Sequence, residues 1–146
     1  MTTLKRLFLL ICLLPGLALA EHGFLEFSKT WVRATPPTSK MTAAYATITN
    51  VSTFNIWIIG ASSDQFGAIE LHETIERDGM ARMVHQDFVK LAPGESVEFK
   101  RGGKHFMLFQ PKQPITEGQQ VSIDVKLGNG DVESFTTTVS RNPPAE

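Results

Sequence analysis

Apolar and polar residues alternate along most of this chain, and that period of two limits its fold more than anything else. β-Branched and aromatic residues are enriched in the alternating segments. The pattern predicts strands over 25–34, 42–50, 55–62, 68–75, 81–90, 96–100, 105–109, 119–127 and 132–140. Turn chemistry separates them: Arg77-Asp78-Gly79, Pro93-Gly94, Gly102-Gly103, Glu117-Gly118 and Gly128-Asn129-Gly130-Asp131. These residues tolerate positive φ or preset a turn, and Asn129-Gly130 is a hairpin signal. No long 3.6-residue period with caps is present, so little helix is expected. Many short strands with frequent turns imply an all-β sandwich or barrel with Greek-key connections.

The N-terminus predicts export. Lys5 and Arg6 precede an unbroken apolar run, Leu7 to Leu14, and Ala18-Leu19-Ala20 is a small-x-small cleavage site. The run is too short to span a bilayer, and polar sequence follows, so no stable membrane insertion is expected. Residues 1–20 are read as a secretory signal, cut after Ala20, and residues 21–146 as one domain. The single cysteine, Cys12, lies inside the signal, and bulky Ile11 before it argues against a lipoprotein signal. The mature chain then has no cysteine and no disulfide. The 14 basic residues fall to 12 when Lys5 and Arg6 leave, against 15 acidic ones, a net charge of −3. No basic patch suggests nucleic acid. A monomer is expected.

Two histidines and two methionines stand out in this mature chain. His72, Met83, His105 and Met107 form the pattern H-x10-M-x21-H-x-M. His105 and Met107 are two apart on a strand, so they share a face. His72 and Met83 flank the Asp78-Gly79 turn and approach each other if the flanking strands pair. Each residue alone reads as core filling or as a structural histidine. Together they form a set of imidazole and thioether donors. Thioether is soft and selects copper(I), whereas zinc sites use thiolate, imidazole and carboxylate. His85 is a reserve ligand, because Met83-x-His85 mirrors His105-x-Met107. Met80, beside the turn, is a thioether expected at the rim. Trp31, Met41 and Trp57 read as packing residues, Trp57 as core. Glu70 and Glu73 bracket His72, a position from which a carboxylate can orient its ring, although one of them is expected to be solvated. Glu21-His22-Gly23 at the mature N-terminus offers an amine, an amide and an imidazole, a nitrogen set that suits copper(II). No G-x-S-x-G, H-E-x-x-H or phosphate-cradling loop is present, so the chain is not expected to be an enzyme.

With these residues in hand, the chain resembles the periplasmic copper chaperones of the PCuAC family, whose motif falls on His72, Met83, His105 and Met107 without a gap. Trp31-Val32-Arg33-Ala34-Thr35-Pro36-Pro37, Glu70-Leu71-His72-Glu73 and Leu91-Ala92-Pro93-Gly94 resemble further landmarks of that family. The resemblance implies a cupredoxin-like β-sandwich in the periplasm that binds one copper(I). It also implies delivery to the CuA-bearing subunit of cytochrome c oxidase, or to the accessory protein that loads it. A His/Met-rich tail of the kind some members carry is not expected here, since the last residues read Arg141-Asn142-Pro143-Pro144-Ala145-Glu146. Three alternatives stand beside this reading. A blue-copper electron carrier needs a cysteine thiolate, which the mature chain does not have. Copper sequestration or resistance would use the same four residues without an oxidase client. A metal-free binding module would use none of them.

Overall fold

The computed structural model describes residues 23–145. The signal peptide, its cleavage point, Cys12 and His22 lie outside the described residues. Ten strands follow: β1 (Leu25–Arg33), β2 (Met41–Asn50), β3 (Ile56–Ser62), β4 (Phe66–Arg77), β5 (Met80–His85), β6 (Val89–Leu91), β7 (Ser96–Phe99), β8 (Lys104–Pro111), β9 (Gln120–Leu127) and β10 (Val132–Ser140). No helix occurs among the described residues, and none is long and apolar enough to cross a membrane.

Hydrogen-bonded neighbours run β5-β4-β8-β7-β2-β1-β10-β9-β3-β6, and β8 also pairs with β2. Ala61 of β3 pairs with Ile69 of β4, which closes β1, β2, β8, β4, β3, β9 and β10 into a ring. Pairs between strands distant in sequence, such as β4–β8 and the parallel β1–β10, are the Greek-key signature. The expected all-β sandwich is therefore the observed fold.

Alternation decides which side chains fill it. In β8, Phe106 and Leu108 are fully buried in the core, alongside Leu71, Ala44 and Phe99. Their neighbours His105 and Met107 necessarily point the other way. In β3, Ile56 and Ile58 point inward, which turns Trp57 outward. Trp57 is not core: it is 40% exposed, with the Lys90 ammonium 5.5 Å from its ring centre.

The expected strand 81–90 is two strands. β5 pairs with β4 as far as His85, and then the chain crosses over so that Val89 and Leu91 bury against β3. The backbone amide of Gln86 donates to the Leu71 carbonyl at 2.8 Å where the pairing with β4 ends. Burial of Val89 and Leu91 outweighs continuation of one straight strand.

An outer cluster forms on the face opposite the main core. Ser28 pairs with Thr47, but Trp31 pairs with Tyr45, so β1 carries one extra residue there. Lys29 takes a φ of 49° within this bulge. The insertion shifts Trp31 onto the face of Tyr45, where their rings lie 4.8 Å apart and both are buried.

Phe106 anchors the strand that carries His105 and Met107. Phe106→Ala should cost about 3–5 kcal/mol of stability. Urea unfolding checks this, and a loss under about 1 kcal/mol would mean that β8 is not held by its core face.

Candidate metal centre

The β4–β5 hairpin turns on Asp78-Gly79, with φ values of 54° and 72°. A two-residue loop with both central residues left-handed matches strand twist. It fixes the register: Arg77 pairs with Met80, Thr74 with Met83, and His72 with His85. On its other side, β4 pairs with β8 so that His72 faces His105 and Glu70 faces Met107. Paired residues share a face. His85, His72 and His105 therefore form one row across three adjacent strands, with Met83 and Met107 in the neighbouring rows.

The structure thus brings together His72, Met83, His105 and Met107 on one face of the sheet. Met83, His105 and Met107 line a common open concavity of about 280 Å³, walled also by Thr74, Tyr45 and Arg101. His72 does not line it. It sits one strand over from His105, mostly buried, with ring centres 5.9 Å apart. Exposure is graded: His105 and Met107 are buried, while Met83 is 61% exposed.

Hydrogen bonding fixes both rings. His105 Nδ1 lies 3.0 Å from the Gly103 carbonyl, and a carbonyl only accepts, so Nδ1 carries the proton. His72 Nε2 lies 2.9 Å from Glu70 Oε2, and in neutral His72 that nitrogen is likewise the donor. This leaves lone pairs on His105 Nε2 and His72 Nδ1. Both atoms are buried and without a hydrogen-bond partner. A buried polar atom left unpaired costs about 1–3 kcal/mol. Two such nitrogens on neighbouring rings, each ring held by its other nitrogen, is the arrangement found where imidazole ligates a metal. Glu70 is the orienting carboxylate; Glu73 instead pairs with Lys104 at 2.9 Å.

Other expectations need adjustment. Met83 is diagonal to His72 and not opposite it; His85 takes the opposite position. Met80 pairs with Arg77, out of phase with Met83, so alternation puts it on the other face. It does not belong to the rim beside Met83. Met41 is not a packing residue. It is 45% exposed and lines the same concavity as Met83 and Met107. Trp31 does pack, with the Arg101 guanidinium 4.8 Å over its ring. Tyr45 continues that wall, its ring 6.4 Å from His105.

Burial pushes the His105 pKa below the ordinary histidine value. The Gly103 carbonyl opposes this in part, and His72 adds to it. The folded state therefore favours neutral His105. As pH falls through the ordinary value near about 6.5, the unfolded chain takes up a proton first, and stability drops. The drop ends once folded His105 is itself protonated. Metal-free protein should thus lose stability as pH falls through about 6.5, and His105→Gln should flatten that slope. Urea unfolding across the range measures both; equal slopes for the two proteins would contradict it.

Residues 25–139 match the LpqE-like family of lipoproteins. Among curated proteins, RP573 of Rickettsia prowazekii (strain Madrid E) is 33% identical over 130 residues, covering 86% of this chain and 72% of RP573. The lipoprotein Lxx21020 of Leifsonia xyli subsp. xyli (strain CTCB07) is 28% identical over 116 residues, 79% of this chain and 69% of Lxx21020. Among solved structures, the copper(I) form of DR1885 from Deinococcus radiodurans is 32% identical with a TM-score of 0.63, covering 77% of this chain and 76% of DR1885. The copper-bound PCuAC domain of PmoF2 has a TM-score of 0.67 at 18% identity, covering 82% of this chain and 95% of that domain, a likeness of fold.

Proposed function

The chain belongs to the LpqE-like family and has the PCuAC domain fold, and from that premise we propose that it is an exported copper(I) carrier and not an enzyme. His72 Nδ1, His105 Nε2 and the sulfurs of Met83 and Met107 would hold one copper(I). The observation that carries this reading is the pair of orphaned, buried imidazole nitrogens beside a concavity lined by the thioethers of Met41, Met83 and Met107. Two neutral imidazoles and two neutral sulfurs suit a soft monocation. The set lacks the thiolate or carboxylate that zinc sites commonly use. The similar protein DR1885 of Deinococcus radiodurans, solved with copper(I), supports the same cargo.

Graded exposure fits a carrier. His105 and Met107 are buried and hold the metal against the sheet, while Met83 stands on an exposed hairpin where an incoming ligand can replace it. Ligands that leave one at a time let copper pass without release into water. We propose the periplasm as its compartment, with signal cleavage after Ala20. The lipoprotein names of the family and of Lxx21020 are consistent with export. The client proposed is the CuA-bearing subunit of cytochrome c oxidase or the accessory protein that loads it. The cysteine thiolates of a CuA centre bind copper more strongly than thioethers, so transfer runs toward the client.

Copper(I)-loaded protein should metallate the reduced, cysteine-bearing oxidase domain, and the Met83→Leu, Met107→Leu double variant should bind copper(I) at least about tenfold more weakly. Leucine keeps the volume at a cost of under about 1.5 kcal/mol per site. Chelator competition checks the affinity, and the CuA absorption that develops when the metallated domain is afterwards oxidised by ferricyanide checks the transfer. Unchanged copper(I) affinity in the double variant would make the methionines core residues and overturn the site. Copper retained in the presence of the client domain would leave sequestration as the function.

A further inference from the structure

We propose a second metal site on the same sheet face, built from Glu70, His72 and His85, that takes a borderline divalent cation, foremost copper(II), and excludes simultaneous occupation of the thioether site.

The donors are already gathered. Glu70 Oε2 lies 2.9 Å from His72 Nε2 and 3.8 Å from His85 Nδ1. One ligand atom from each of the three residues lies within 4.8 Å of the other two. Around a four-coordinate ion with bonds of about 2.0–2.2 Å, donor atoms stand about 3.3–3.6 Å apart. The present spacings bracket that range. Glu70 and His85 are about half exposed, so their side chains can turn to reach it. The backbone supplies the rest, because His72 and His85 are a directly opposed pair and Glu70 is two residues along the same strand. Asp87 Oδ1 lies 3.7 Å from His85 Nε2, the other nitrogen of that ring, where it would orient the imidazole and not ligate.

The donor set differs in kind from that of the thioether site. It offers two imidazoles, one carboxylate and no sulfur. Such sites favour borderline divalent ions, and among these copper(II) binds most tightly. Carboxylates also supply the negative charge that the thioether site lacks.

Exclusion follows from His72. Its two nitrogens belong to different sites: Nδ1 is the orphaned atom proposed for copper(I), and Nε2 faces Glu70 and His85. A neutral imidazole has one lone pair and one N–H. With metal on Nδ1, the proton sits on Nε2 and is donated to Glu70. With metal on Nε2, the proton moves to Nδ1, and copper(I) has lost a ligand. Holding both metals requires an imidazolate, which costs a further proton. The ring would thus choose between a soft and a borderline ion. The second site's donor chemistry stands independently of the copper(I) reading; the exclusion rests on it.

The test uses the mature chain carrying His22→Ala, which removes the N-terminal nitrogen set. Copper(II) is titrated and followed by electron paramagnetic resonance, and copper(I) affinity is measured by chelator competition. Loss of an outer partner of a metal site already costs about 10–100-fold, so loss of a ligand should cost at least about tenfold. His85→Ala, at an exposed position, should therefore weaken copper(II) by at least about tenfold and change copper(I) affinity less than about threefold. Silver(I), a soft ion that does not exchange electrons with copper(II) here, should abolish the bound copper(II) signal when loaded first.

Unchanged copper(II) binding in His85→Ala overturns the site. An equal loss of copper(I) in that variant places His85 in the thioether site and also overturns it. Full copper(II) binding to the silver-loaded protein overturns the exclusion. If copper(I) and silver(I) do not bind while copper(II) binding still depends on His85, the carrier reading fails and the second site stands.

Discussion

Everything proposed for this protein depends on where β4 sits between β5 and β8. The Asp78-Gly79 turn sets one register and the buried row of Leu71 and Phe106 sets the other. Between them they place His85, His72 and His105 in line and bring Met83 and Met107 alongside. A slip of one residue would turn His72 into the core and Leu71 out to solvent. The hydrophobic effect that buries Leu71, Phe106 and Leu108 is thus what presents the histidines and methionines. No separate device is needed to assemble them.

The cost is paid locally. His105 is buried without a partner for one nitrogen, and His72 likewise. Natural interiors rarely keep such atoms unpaired. Here the hydrogen bonds that the rings donate to the Gly103 carbonyl and the Glu70 carboxylate lock both of them, so the free nitrogens cannot rotate away to find other partners. Tyr45 and Arg101 wall one side, and the bulge at Lys29 is what turns Trp31 to pack against both of them. Rigid imidazoles on a rigid sheet, with Met83 on an exposed hairpin, combine retention with a point of exchange.

Much of this was legible in the sequence. Alternation and turn chemistry gave the all-β class, and the two-residue spacing of His105 and Met107 gave their shared face. The break within 81–90 was not legible, because Val89 and Leu91 pair with Ile58 and Ile56 of β3, far earlier in the chain, and long-range burial overrides local period. The outward position of Trp57 was readable from Ile56 and Ile58, had their inward phase been followed. His85 opposite His72 was also readable, since a two-residue Asp-Gly loop fixes every pair in the hairpin. Met41 was not, because its place depends on the β2–β8 pairing, with Met41 opposite Phe109, which no local signal reveals. The orphaned nitrogens exist only in three dimensions.

The central claim is that one copper(I) is held by two imidazole nitrogens and two thioether sulfurs. X-ray absorption of the copper(I)-loaded protein tests it most directly, because nitrogen and sulfur scatter differently. The expected spectrum shows both nitrogen and sulfur neighbours, with sulfur scattering lost in the protein that has leucine at positions 83 and 107. A spectrum with only nitrogen and oxygen neighbours would contradict the claim and move copper to the carboxylate side of His72.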